Sequence, residues 1–303
     1  MSGSHGSGPG PESTVGFWSA NQPGLKWLEA PDSVSVTPEA YAAIRSERYR
    51  REAHLEHVAG FGDHAGHTVA EVGCGVGTDG SRFLEGGARY VGVDQSGVAI
   101  RTARATFDML GLGGVVVQGD ATALPLRSQA VDFVYSNGVL HHIPDTEAAV
   151  REIYRVLRPG GQCLVMLYHR SSFNYRFTIL VLRRIGALLL LVPGGPRLVS
   201  RLTGEPLEVL DQHRTLLRQH GSSYLTDRQL FLSNNTDGPG NPLSKVYSAH
   251  EARALFAAFS EVKTEVYYLN LRTLPFLDRL LSPAVKQGLA RRWGWHLYVR
   301  AMR

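Results

Sequence analysis

Between residues 68 and 168 the chain alternates short β-branched apolar runs with stretches of helical periodicity, a rhythm that restricts the fold more than any other feature. Parallel strands need a crossover of a dozen or more residues, and the intervening segments supply one each time. TVAEV (68–72), RYVGVD (89–94), GVVVQGD (114–120), AVDFVYSNG (130–138) and GQCLVMLY (161–168) read as five strands. TDGSRFLEGG reads as a helix with its stop, and SGVAIRTARATFDMLG as a helix ended by Gly111. EAAVREIYRVL follows as a helix capped by Asp145 and stopped by Pro159 and Gly160. The expectation is an α/β fold with a doubly wound sheet.

The alternation stops from about His169 to Ser248, where two arginine-dotted helical patterns and the Gly/Asn/Pro-rich SNNTDGPGNPLS intervene. Residues 170–248 therefore read as an insertion on the substrate side. The rhythm resumes with a helix in AHEARALFAAF, a strand in SEVKTEVYYL, a helical stretch near LPFLDRLLSP and a terminal strand in GWHLYVRAMR. Two late strands complete a seven-stranded mixed sheet with helices on both faces, its last strand antiparallel.

With 303 residues and 43% apolar content, the chain can bury the core of one large domain. Residues 16–303 are expected to form it: an N-terminal helical lid (16–60), a core (67–168), the insertion (170–248) and the completion of the sheet (249–303). MSGSHGSGPGPEST lacks the basic-then-apolar pattern of an export signal, so residues 1–15 read as a flexible leader. Phe17, Trp18 and Trp27 precede a helical pattern introduced by Thr37 and Pro38, and this aromatic segment is either a lid over a ligand or an anchor for that helix.

The net charge of +5 comes from arginines spread from Arg45 to Arg303, with no compact basic stripe, so no nucleic-acid partner is expected. Cys74 and Cys163 have no paired spacing, which argues against a disulfide framework or a zinc site and for a reducing, cytoplasmic setting. The most apolar run, ILVLRRIGALLLLVP (179–193), is interrupted by Arg183 and Arg184 and is too short to span a bilayer. It reads as an amphipathic helix that packs on the core, walls an apolar substrate, or rests on a membrane without inserting.

VAEVGCGVGTDG (69–80) places a glycine-dense turn between a strand and a helix, where such folds bind ligands. The GxGxxG in it, Gly75 to Gly80, does not separate a dinucleotide from other nucleosides. Asp94, ending the second strand, can accept both hydroxyl hydrogens of a ribose; its alternative role as a helix cap is already filled by Ser96. Asp120 after the third strand can accept from an adenine amine, or merely close an Asx-turn.

EVGCGVGT, YVGVDQS, GDATALPL, DFVYSNGVLHHIPD and RVLRPGG, in that order and spacing, resemble the successive motifs of the class I S-adenosylmethionine-dependent methyltransferases, in particular the small-molecule, type 11-like subgroup. The likeness covers residues 67 to 168, and the segments SKVYSAHEARALFAAF and GWHLYVRAMR extend it more weakly. It implies a Rossmann-like fold and S-adenosyl-L-methionine as cofactor. By the same likeness Glu71, Gly73, Gly75 and Gly77 shape the methionine and ribose pocket, and Asp94 binds the ribose with Gln95 beside it. Asp120 with Ala121 takes the adenine, and Ser136 and Asn137 line the methionine end.

The reaction so implied is methyl transfer to an oxygen or carbon of a small, apolar metabolite, with a lipid or quinone-like acceptor at a membrane surface as one alternative. A nicotinamide-dependent oxidoreductase and a noncatalytic cofactor sensor are alternatives of other classes. His141, His142 and His169 follow strands at the ligand edge and suit a general base, since imidazole titrates near neutrality. The His141–His142 pair equally suits pocket shaping, and His169 a structural role. No HxxxH or HExxH set accompanies them, so no metal is expected.

Overall fold

The computed structural model describes residues 11–21 and 36–303. Trp27 and residues 1–10 of the expected leader lie outside the described residues. Helix α1, Pro11–Ala20, begins inside the stretch read as a leader, with proline at the first helical position where its missing N–H costs nothing.

The strands are β1 (Thr68–Val72), β2 (Arg89–Asp94), β3 (Val115–Gln118), β4 (Val131–Asn137), β5 (Leu157–Tyr168), β6 (Ser260–Tyr267) and β7 (His296–Met302). They form one seven-stranded sheet in the order β3-β2-β1-β4-β5-β7-β6. β1 pairs in parallel with β2 and with β4, whose Phe133 and Tyr135 lie beside Val69 and Glu71. The order reverses between β1 and β4, so the crevice beyond their C-terminal ends is the switch point where such sheets take ligands. β7 returns antiparallel to β5: the N–H of Gly160 donates to the carbonyl of Arg303 at 2.9 Å, and the N–H of Arg303 to that of Gly161 at 2.9 Å.

Helix α2 is Pro38–Arg51, capped by Thr37, whose Oγ1 accepts from the N–H of Ala40 at 3.2 Å, and α3 is Leu55–Ala59. Between the strands lie α4 (Thr78–Glu85), α5 (Gly97–Leu110) and α6 (Thr146–Val156), with Ser96 and Asp145 as caps and Gly111 in the left-handed conformation that ends α5. β5 starts at Leu157, earlier than the sequence suggests, because Gly160 at φ +77° carries the extended chain past Pro159.

The insertion is helical: a π-helical stretch Asn174–Arg183 runs into α7 (Arg184–Leu189), followed by α8 (Gly195–Thr203), α9 (Leu207–His220), α10 (Ser223–Thr226) and α11 (Arg228–Asn234). The later helices are α12 (Ala249–Leu255), α13 (Pro275–Leu280) and α14 (Pro283–Trp293), the last unforeseen because PAVKQGLARRW has no clear apolar stripe.

The chain divides into two compact units. Residues 15–167, 249–264 and 298–303 make up the first, with a core of Val69, Ala70, Phe133, Val134 and Tyr135 beneath the ligand edge. Residues 168–248 and 265–297 belong to the second. Both cysteines are free and buried in the first unit, and burial pushes the thiol of Cys163 up to about 12 and that of Cys74 well above its usual value.

Candidate cofactor site

The turn from β1 to α4 is built of backbone. Gly73 has φ +79°, and a Cβ there would lie 2.2 Å from Cγ2 of Val139, in the loop after β4. Gly77 has φ +82°, and a Cβ would press on the ring of Phe107 at 2.9 Å. Side chains are thus excluded from this bend by its conformation and by its neighbours. What remains is a concave row of main-chain groups ahead of the helix N-terminus.

Asp94 closes this row from the adjacent strand. Its Oδ2 accepts from the N–H of Gly75 at 2.9 Å and its Oδ1 from the N–H of Ser96 at 2.9 Å. The capping of α5 falls to Ser96, whose Oγ accepts from Ala99. Each carboxylate oxygen has a second acceptor direction, so Asp94 anchors the loop and keeps capacity for ligand hydroxyls. Burial pushes its pKa up, against the two N–H bonds that favour the charged form.

Beneath the loop lies a charged cluster that sequence spacing did not reveal. Asp79 of α4 accepts from Nε of Arg48 at 2.6 Å, from the Tyr49 hydroxyl at 2.8 Å and from the Tyr135 hydroxyl at 2.9 Å. A second Arg48 bond to the other oxygen makes the pair bidentate. Burial alone would raise the Asp79 pKa, but Arg48 and these hydrogen bonds hold it below the ordinary value. Glu71, at the end of β1, goes the other way: burial and the Asp79 charge push it well up while it accepts from the Tyr90 hydroxyl at 2.5 Å. The two neighbouring acids beneath the loop are thus shifted in opposite directions, Asp79 down and Glu71 up. Ile44 of α2 packs on Val76, so the helix that supplies Arg48 also touches the glycine turn.

The remaining predicted residues are placed as follows. Gln95 follows Asp94 directly, and its carbonyl accepts from Gln118 Nε2 at 3.0 Å. Gln118 pairs with Asp94, which brings Asp120 and Ala121 to the same edge. The Asp120 Oδ1 accepts from the N–H and the hydroxyl of Thr122, at 2.7 and 2.8 Å, an Asx-turn that engages one oxygen. Ser136 donates to the Val72 carbonyl at 2.9 Å and so ties β4 to the base of the loop. Asn137 Oδ1 accepts from the Tyr298 hydroxyl at 3.0 Å.

His141 and His142 are buried in the short turn after β4, their ring centroids 4.3 Å apart. Helix α1 reaches both ligand-edge loops: the Trp18 ring lies 4.7 Å from that of His142, and Ser19 Oγ donates to Ser96 Oγ at 3.2 Å. His169 belongs to the second unit, buried, with Nδ1 3.0 Å from the Gly294 carbonyl and its pKa lowered by burial.

A family model described as a methyltransferase domain matches residues 70–165, the span from β1 to β5 that holds this edge. The chain carries a class I S-adenosylmethionine-dependent methyltransferase domain. Its cofactor is S-adenosylmethionine, and the bare glycine turn with the Asp94 carboxylate at its rim suits that nucleoside. The chain is 35% identical over 156 residues to a sterol 24-C-methyltransferase of Eremothecium gossypii, covering 50% of this chain and 40% of that one. It is 31% identical over 161 residues to a probable tRNA methyltransferase 9B of Mus musculus, covering 52% of this chain and 32% of that one. This chain thus matches less than half the length of either relative. The crystal structure of the [4+2]-cyclase SpnF has a similar fold, with a TM-score of 0.51 at 15% identity over 98% of this chain and 97% of that one.

Proposed function

We infer that the chain transfers the methyl group of S-adenosylmethionine to an oxygen or carbon of a small, apolar acceptor. The observation that carries this reading is the Asp94 carboxylate, held by Gly75 and Ser96 at the rim of a turn stripped of side chains. Bound there, the cofactor supplies a methyl group made electrophilic by its sulfonium. Asp94 is assigned to the ribose hydroxyls and Asp120, through the oxygen directions its turn leaves, to the adenine amine. Glu71, Gly73, Gly75, Gly77, Gln95, Ala121, Ser136 and Asn137 shape the rest of the pocket.

Alignment and exclusion of water are the main demands of such a displacement. Helix α1, in contact with the loops after β2 and β4, supports the lid assignment. Where the acceptor loses a proton, His141 or His142 is assigned to take it, both standing on the ligand-edge turn. The His169 ring, bonded to a backbone carbonyl, favours its structural role.

The two relatives act on acceptors as unlike as a sterol and, by its name, a tRNA, so the acceptor class is argued from this chain. The apolar run ILVLRRIGALLLLVP, by its sequence, favours an apolar acceptor. Calorimetry with S-adenosylhomocysteine tests the site: the native protein binds and Asp94→Ala loses at least tenfold in affinity. Absence of binding by the native chain, or unchanged binding by the variant, overturns the assignment. Labelled S-adenosylmethionine with apolar and polar extract fractions then tests the acceptor class.

A further inference from the structure

Residues 174–203 are folded with an apolar side facing out. An amphipathic helix in water turns its charges to solvent, and Arg183 and Arg184 stand where they would break an apolar face. Both turn inward instead. Arg183 pairs with Glu205 Oε1 at 3.1 Å. Arg184 donates from Nε to the Leu225 carbonyl at 3.0 Å and from Nη1 to the Leu180 carbonyl at 2.8 Å, its guanidinium 4.7 Å above the Phe231 ring. Solvent is left to Phe177, Val181, Ile185, Leu188 and Val192, spaced three or four apart and all exposed, with Leu191 at 58% beside them. On α8, Leu198 and Leu202 stand one turn apart, the latter 60% exposed.

Contiguous exposed apolar surface of this kind marks an interaction site, and charge selects the partner. No Asp or Glu occurs between Glu152 and Glu205. Arg176, Arg197 and Arg201 are exposed, and each directly precedes one of the exposed apolar residues Phe177, Leu198 and Leu202. Apolar side chains rimmed by long cationic ones, with no carboxylate among them, match the acyl boundary and anionic headgroups of a lipid leaflet. No helix among the described residues is long and apolar enough to cross a membrane. We propose that the helical face from Phe177 to Leu202 docks the chain in the plane of an anionic lipid bilayer. The proposal goes beyond the methyl-transfer reading and does not rest on it.

The test is co-sedimentation of the full chain with vesicles of phosphatidylcholine alone and of phosphatidylcholine mixed with phosphatidylglycerol. The chain binds the mixed vesicles, releases on adding salt, and binds neutral vesicles much more weakly. Arg197→Gln and Arg201→Gln each weaken binding about fivefold, the effect of one cation near an anionic surface. Leu198→Ser and Leu202→Ser each weaken it about tenfold. All four positions are exposed, so circular dichroism and melting temperature stay at the native values, separating lost docking from lost fold. Equal binding to both vesicle types, no binding to either, or binding insensitive to all four substitutions overturns the proposal. So does a dimer in sedimentation equilibrium that Leu202→Ser dissociates, which assigns the face to a second copy.

Discussion

Under the glycine turn, Asp79 is buried as an anion among Arg48, Tyr49 and Tyr135. In the second unit, His213 is buried as a neutral ring: the Tyr224 oxygen accepts from Asn235 Nδ2 at 3.2 Å and so directs its own hydrogen at His213 Nδ1, 2.6 Å away. Burial, aided by the Arg183 charge, holds His213 down to about 4. Both clusters satisfy buried polar groups, but one does so by pairing charges and the other by suppressing one. The units should therefore answer differently to removal of a partner and to acid.

Asp79→Ala gives the largest effect. It strands the Arg48 guanidinium against the first unit's core, and chemical denaturation should report a loss of about 3–5 kcal/mol at neutral pH. An effect no larger than that of a surface substitution would remove the charge-pair side of the contrast.

Acid comes next. An unfolded histidine binds its proton below about 6.5, whereas native His213 does so only below about 4. Between these values the unfolded chain holds more protons, so stability falls as pH falls, by about 3 kcal/mol over the window. Asp79, with its pKa depressed, contributes above the ordinary aspartate range and is lost only below it. Hydrogen exchange at pH 5 should accordingly show protection falling in residues 207–235 before residues 68–94. His213→Gln should flatten the pH dependence; a slope identical to the native one would assign the acid response elsewhere.

Tyr224→Phe sharpens the same cluster by removing the hydroxyl that serves both His213 and Asn235, at a cost of about 1–2 kcal/mol in thermal unfolding. Thr37→Ala, which uncaps the helix that carries Arg48, should cost about 1 kcal/mol and leave the acid response unchanged.

What the sequence disclosed follows from how local each feature is. Strands β1 to β4 stand out because each is a short apolar run closed by Gly or Asp, and Asp94 because it ends one of them. Arg48 and Asp79 lie 31 residues apart on two helices whose spacing carries no sign of the pair, so only the packed structure joins them. The same holds for Arg183 and Arg184: periodicity places them on a helix, but the inward turn depends on Glu205 from the loop after α8 and on Leu225 and Phe231 from α10 and α11. Asp120 shows the limit within a motif, since its type permits both a turn and base recognition and the structure uses one oxygen for the turn.

The two sealed thiols have a practical corollary. With Cys74 and Cys163 interior and resistant to ionisation, the folded chain offers maleimide reagents almost no native target. A single cysteine engineered at a solvent-facing position would carry a fluorophore without first deleting either one, and emergence of the native pair to alkylation would time the opening of the sheet itself.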